Sequence, residues 1–291
     1  MKIAALDIGG TYIKAGIVEN GVLTQVEEHP TDADLGGPAV IQKAVAIIKS
    51  FGQVDRIGIS TAGEVDSSRG VIRHADNIPG YTGMDLRKIF TEALSLPFVV
   101  ENDVNAAAVG ELTFGAAQNY KDFLCVNFGT GIGGAIIIDR KLYRGSRFSA
   151  GEFGGLITHP GAMVPGDVGS GSYERYASTS ALVRHAMALS PKLNNGRAVF
   201  AAMDIPEVKM LVDDWIKEIS YGLICLIHAF NPSAIVMGGG IMKEPYIVLN
   251  LIATLGANTK PSFRDCQIIP AALGNNAGML GAAHLVSQWK A

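Results

Sequence analysis

"FLCVNFGTGIGGAIIIDRKLYRG", residues 123 to 145, reads as strand, glycine turn, strand, turn, strand. The chain opens on the same plan. "KIAALDI" and "IKAGIVE" flank a Gly-Gly-Thr turn, and "NGVL" turns into a third strand. The echo of "LDIGGTYIKAGI" in "VNFGTGIGGAII" implies two related halves. "GTGIGG" also matches G-x-G-x-x-G at Gly129, Gly131 and Gly134. A dinucleotide site would need a helix to start there, whereas "AIIIDRKLY" is β-branched and reads as a strand. The dinucleotide reading is therefore rejected.

Outward from these hairpins, strand and helix signals alternate. Helices are expected over 38–51, 84–94 and 105–114, with "RIGIS" and "PFVVEN" as strands between them. Further on, helices are expected over 173–189, 206–230, 245–256 and 275–289, with strands at "AIVMGGGI" and "CQIIPA". The alternation predicts an α/β protein. No low-complexity linker appears, so a domain boundary is expected as a hinge near residue 114.

Composition narrows the function. Of 291 residues, 48% are hydrophobic and 18% charged, which supplies a core and argues against disorder. A net charge of −3 leaves no basic footprint for nucleic acid. No apolar run spans a membrane, and Asp7 and the glycines interrupt what would be a signal peptide, so a cytoplasmic protein is expected. Cys125, Cys225 and Cys266 are far apart in apolar runs and read as buried free thiols. Trp215 and Trp289 read as packing residues, and His185, His228 and His284 as ordinary helix histidines.

Three strand ends carry the chemistry. Gly9-Gly10-Thr11, Gly129-Thr130-Gly131 and Gly238-Gly239-Gly240 remove side chains where a ligand would meet backbone N–H groups, as phosphate oxygens require. Asp7 stands directly before the first of them. It could cap its own turn, but a carboxylate beside a phosphate site calls for a cation, and Mg²⁺ suits one. "ENDVN", 101–105, sets carboxylates and amides where a strand meets a helix. One of them could be an N-cap; Asp103 could also accept the proton of an attacking hydroxyl, and an Asn could read a sugar hydroxyl. Residues 150–178 are rich in Gly, Pro and Ser yet keep Glu152 and Glu174 near their ends. Loops of that length are usually functional or disordered.

In chain order, "DIGGT" (7–11), "STAGEVD" (60–66), "ENDVNAAAVGE" (101–111), "GTGIGGAII" (129–137), "AGEFG" (150–154), "NPSAIVMGGGI" (231–241) and "LGNNAGMLGAA" (273–283) resemble the ROK family of bacterial sugar kinases. The resemblance implies a two-lobed actin/hexokinase-like (ribonuclease H-like) α/β fold, with ATP and sugar in a cleft. It implies a small lobe of 1–114, with a C-terminal helix 276–291 packing back on it, and a larger lobe of 115–275. Asp103 resembles the catalytic base acting on the sugar 6-hydroxyl. Gly63, Asn77, Asn102, Glu152 and Glu174 resemble sugar-pocket residues. Gly9, Gly10, Thr11, Gly129, Thr130, Gly131 and Gly239 resemble the ATP-phosphate contacts, and Asp7 the holder of Mg²⁺, through water.

One departure shapes the expected specificity. Most of the family carries a His after "GE-x-G" and a cysteine run that together bind structural zinc. Here Gly155 takes the His position and no cysteine lies between Cys125 and Cys225, so no zinc is expected. "YERYASTSALVR" and the zinc-less segment look most like N-acetylmannosamine kinases, with glucokinases and β-glucoside kinases as alternatives. A sugar-sensing regulator is less expected, because the first strand starts at Lys2 with no helix-turn-helix before it. A non-sugar ATPase of the same fold is disfavoured by Asn102, Asp103, Glu152 and Glu174 together. Homodimers are common in the family. Without a metal clamp, the 150–178 segment is expected to be mobile until sugar binds.

Overall fold

The computed structural model describes residues 1–289; the last two positions of the expected C-terminal helix lie outside it. The chain forms two compact units. Unit 1 holds residues 1–119, 142–150 and the chain from Asn275; unit 2 holds 120–141 and 151–274.

Unit 1 is built on the sheet β3-β2-β1-β4-β7. Its strands are β1 (Lys2–Ile8), β2 (Tyr12–Glu19), β3 (Val22–Pro30), β4 (Arg56–Thr61) and β7 (Phe98–Asn102). β2 runs antiparallel to β1, while β4 and β7 run parallel to it. Side chains alternate between the two faces of each strand. Leu6, Ile8, Ile13, Ile57 and Ile59 therefore share one core with the apolar stripe of α1 (Gly37–Ser50) and with Leu86 and Phe90 of α2 (Leu86–Leu94).

The opposite face carries α3 (Asp103–Phe114) and α9 (Ala277–Ser287), whose main chains touch. A β carbon on Gly281 would fall inside the Ala106 carbonyl, and one on Gly110 would strike the Ala277 carbonyl. Only glycine permits this approach. It seats α3, and with it the turn at residues 101–105, rigidly on the sheet.

The second sheet has the order β10-β9-β8-β11-β12. Its strands are β8 (Phe123–Phe128), β9 (Ile132–Ile138), β10 (Lys141–Tyr143), β11 (Ala234–Gly238) and β12 (Gln267–Pro270). β9 is antiparallel to β8, and β11 and β12 extend the sheet in parallel, the plan of the first sheet again. The parallel pairings correspond: Asp7 pairs with Ser60 in one sheet as Asn127 pairs with Gly238 in the other. The helices are α4 (Tyr173–Ala177), α5 (Thr179–Leu189), α6 (Gly196–Ala201), α7 (Pro206–Phe230) and α8 (Pro245–Asn258). Val208, Val212, Trp215, Ile219, Leu223 and Leu226 form the buried stripe of α7.

Several expectations need correction. The helix expected over 173–189 is two helices, because Ser178 is extended and its hydroxyl caps α5 by accepting from the Ala181 N–H. Trp215 Nε1 donates to the carbonyls of Ala177 and Ser178 at this break. The hairpin β5 (Glu64–Asp66)–β6 (Val71–His74) and α6 are too short for periodicity to reveal. Of the cysteines only Cys125 is buried; Cys266 is half-buried and Cys225 is exposed on α7. Trp215 is packed in the core, but Trp289 is 38% exposed. Among the described residues no helix is long and apolar enough to cross a membrane.

Candidate active site

In unit 1 the register places Lys14, Asp7, Ser60 and Glu101 in one row across β2, β1, β4 and β7. The row lies near the carboxyl ends of the parallel strands, where α/β sheets hold ligands. Ser60, fully buried, donates to Asp7 Oδ1 at 2.6 Å. Burial nonetheless raises the Asp7 carboxyl above its ordinary value, against the Ser60 hydrogen bond and the charge of Lys14.

The turn after β7 is held from every side. Asn102 Oδ1 accepts from the N–H groups of Val104 and Asn105, both at 3.0 Å, and caps α3. Its Nδ2 donates to the Gly63 carbonyl at 3.0 Å and to Asp103 Oδ1 at 2.9 Å. The amide's hydrogen-bonding capacity is thus filled, so a sugar contact at Asn102 must exchange for one of these bonds. Gly63 has a φ of 98°, a left-handed conformation that brings its carbonyl to Asn102.

Asp103 Oδ1 also accepts from the Val104 N–H at 2.9 Å, and the residue's own N–H acts on the carboxyl as well. Burial, reinforced by the neighbouring Asp7 carboxylate, pushes the Asp103 carboxyl up to about 7. A carboxyl poised near neutrality at a strand end is a candidate general base. In the first glycine turn, Gly9 N–H donates to the Tyr12 carbonyl, and Thr11 is exposed. A β carbon on Gly10 would lie 3.2 Å from Asn77 Cβ, so these two residues are neighbours.

In unit 2 the second glycine turn opens on a cavity of about 910 Å³. Gly129 and Thr130 line it with Thr179, Asn195, Arg197 and Gly240. Gly239 follows β11 and its carbonyl accepts from the Met242 N–H at 3.2 Å. Glu174, in the first turn of α4, lies over the same glycine turn: its Oε2 accepts from the Ile132 N–H at 3.3 Å. The turn carrying Glu152 reaches the same neighbourhood, since a β carbon on Gly154 would sit 2.8 Å from Glu174 Oε2. Glu152 itself is exposed.

The segment between these glutamates has more structure than its composition suggests. It contains two 3₁₀ turns, Phe153–Gly155 and Pro160–Ala162, and an Ile157–Ser172 bridge. Thr158 and His159 N–H groups donate to the Gly171 carbonyl. The His159 ring stacks on Tyr176 at 3.7 Å, with Nε2 3.4 Å from Glu218 Oε2 on α7. Among the described residues no cluster of three or more His, Cys, Asp or Glu side chains is arranged to hold a metal. His159→Ala removes the stack and the Glu218 partner, worth about 1 kcal/mol together. It is expected to lower the melting temperature by roughly 2–4 °C and to speed amide exchange over residues 157–172. Unchanged exchange there would show that the stack does not hold the segment.

Ser60 and Arg144 carry no local signal in the sequence, and Glu101 stands out only as part of "ENDVN". Ser60 was visible only as the polar end of an apolar strand; its meaning comes from pairing with Asp7 across the sheet.

The sequence profile described as the ROK family matches residues 3–289. A glucokinase of Streptomyces coelicolor is 34% identical, covering 97% of this chain and 96% of its own. A β-glucoside kinase of Listeria innocua is 33% identical, covering 98% and 97%. Among solved structures, a candidate N-acetylmannosamine kinase of Listeria monocytogenes superposes with a TM-score of 0.90 at 30% identity, covering 99% of both chains. A Streptomyces griseus ROK glucokinase, solved with glucose and AMPPNP, gives 0.84 at 32%, covering 99% and 100%. The fold is the mixed α/β, actin-like fold of the ROK hexokinase structures. With sheet order, glycine turns and overall likeness in agreement, the chain belongs to the ROK family.

Proposed function

We propose that this protein is an ATP-dependent hexose kinase that phosphorylates the sugar 6-hydroxyl. The observation that carries the reading is Asp103, with Oδ1 fixed by Asn102 and Val104 and the carboxyl raised near neutrality by burial and by Asp7. Asp103 Oδ2 takes the proton of the 6-hydroxyl as its oxygen attacks the γ-phosphorus, and ADP leaves. Gly63, Asn77, Asn102, Glu152 and Glu174 serve the sugar. Gly9, Gly10, Thr11, Gly129, Thr130, Gly131 and Gly239 serve the phosphates, and the cavity beside Thr130 is large enough for a nucleoside.

Asp7 fits Mg²⁺. Its Oδ1 is held by Ser60, its Oδ2 would face a water or an ion, and the nearby Asp103 adds a second carboxyl to the site. Bound there, the ion would offset the charge of the phosphates. For the chain itself, Ser60 orients Asp7 and Lys14 partly balances it.

N-acetylmannosamine is the favoured sugar, supported by a 150–178 segment without cysteine and by the likeness to the Listeria monocytogenes protein. Glucose or a β-glucoside is the second reading, supported by the kinases that are 33% and 34% identical. An ADP-release assay over N-acetylmannosamine, glucose, N-acetylglucosamine, fructose and cellobiose separates these. N-acetylmannosamine is expected to give the highest kcat/KM; a better glucose or cellobiose value would replace that specificity and leave the kinase reading standing.

A further inference from the structure

Arg144 follows β10, in the segment Leu142–Ala150 that belongs to unit 1. Its Nε donates to Glu101 Oε2 at 2.7 Å, and Glu101 is only 1% exposed. Glu101 Oε1 accepts from the Asn102 N–H at 3.1 Å and from Asn105 Nδ2 at 3.2 Å. Asn102 then donates to Asp103 Oδ1. A continuous set of hydrogen bonds therefore runs from an arginine through a buried carboxylate to the residue read as the base.

Charge makes the arginine essential to that set. A carboxylate this deeply buried is tolerated only when paired and hydrogen-bonded. Among the described residues, Arg144 is the only cation in an ion pair with Glu101. The arginine is itself held. The Arg147 carbonyl accepts from Arg73 of β6 at 2.5 Å, and Ser149 donates to Glu64 Oε2 at 2.6 Å. Glu64 is the neighbour of Gly63, whose carbonyl takes the other Asn102 proton. The segment from Arg144 to Ser149 is thus a strap tied to both supports of the Asn102–Asp103 turn.

We propose that Arg144 is a positioning residue for phosphoryl transfer, acting through Glu101 to fix the Asn102–Asp103 turn. This rests on the reading of Asp103 as the base. Without the arginine, the buried Glu101 carboxylate loses its cation and must turn toward water, which releases the Asn102 N–H. A displacement of about 1 Å at the base is enough to cost on the order of 10²-fold in rate.

The test compares Arg144→Gln with the double variant Arg144→Gln/Glu101→Gln, in which a neutral pair replaces the charged one. Folding is checked by circular dichroism, and kcat and KM for ATP are measured with the best sugar. Arg144→Gln is expected to lose about 30- to 100-fold in kcat with KM for ATP within about twofold, and the double variant to recover to within about fivefold of wild type. A purely structural arginine would lower stability without this recovery of kcat. A folded single variant with kcat within about threefold of wild type, or a folded double variant as slow as the single, overturns the proposal. Should the single variant fail to fold, the double decides alone: near-wild-type kcat supports the proposal, and a large loss or failure to fold overturns it. Turnover retained in Asp103→Asn would instead remove the base reading; the Arg144 proposal can fail with Asp103→Asn still inactive.

Discussion

Asp103→Asn is expected to lower kcat by about 10²- to 10⁴-fold, the range a positioned general base supplies. The substitution is nearly isosteric. Its amide oxygen can still accept from Asn102 Nδ2 and the Val104 N–H, so the cap of α3 survives while the proton acceptor is lost. Stability should move the other way. The folded protein raises this carboxyl from 3.8 to about 7, so it holds a proton that the unfolded chain has already released. Wild-type stability from this group therefore falls as pH rises through that window and stays low above it. The Asn variant carries no such loss, so it should melt above wild type by a margin that grows from pH ~4 to ~7. Differential scanning fluorimetry in EDTA checks this, and an ADP-release assay checks kcat. Turnover within tenfold of wild type would sink the base assignment.

The second large effect lies in packing. Gly281→Ala inserts a methyl group into the Ala106 carbonyl at the α3–α9 contact, where both neighbours are main chain and cannot rotate away. The helices must separate, at a cost of about 3 kcal/mol, the upper part of the range for overpacking. A melting-temperature fall of roughly 6–12 °C follows for a protein of this size. Because α3 begins at Asp103, kcat should fall even well below the melting temperature. Gly256→Ala is the control: nothing lies within 4 Å of its new methyl group on α8. It should be neutral or stabilising by up to about 1 kcal/mol, through helix propensity. Equal melting temperatures for the two variants would show that the close helix contact carries no load.

Much of this was legible in the residues, and the limits have physical causes. The two hairpins were readable because β-branched alternation broken by glycine turns is a local pattern, and their repetition disclosed the paired sheets. Asn102 and Asp103 were readable because polar groups interrupt an apolar strand just before a helix. Ser60, Glu101 and Arg144 gain meaning only across strands, from partners 53 and 43 residues away. No local pattern encodes such pairings. Ser178 shows the opposite case: a capping serine within a helical run marked a break that periodicity alone passed over. In the 150–178 segment, composition suggested a bare loop, while His159 on Tyr176 supplies packing that only the folded chain reveals.

The proposed reaction is transfer of the γ-phosphoryl group of ATP to a hexose 6-hydroxyl. Phosphorus-31 NMR of the reaction with ATP, Mg²⁺ and N-acetylmannosamine or glucose reads the product directly. ADP and a sugar 6-phosphate are expected in equal amounts, with both formed about 10²- to 10⁴-fold more slowly by Asp103→Asn. Release of inorganic phosphate in place of a sugar phosphate, or phosphorylation at a different hydroxyl, would contradict it.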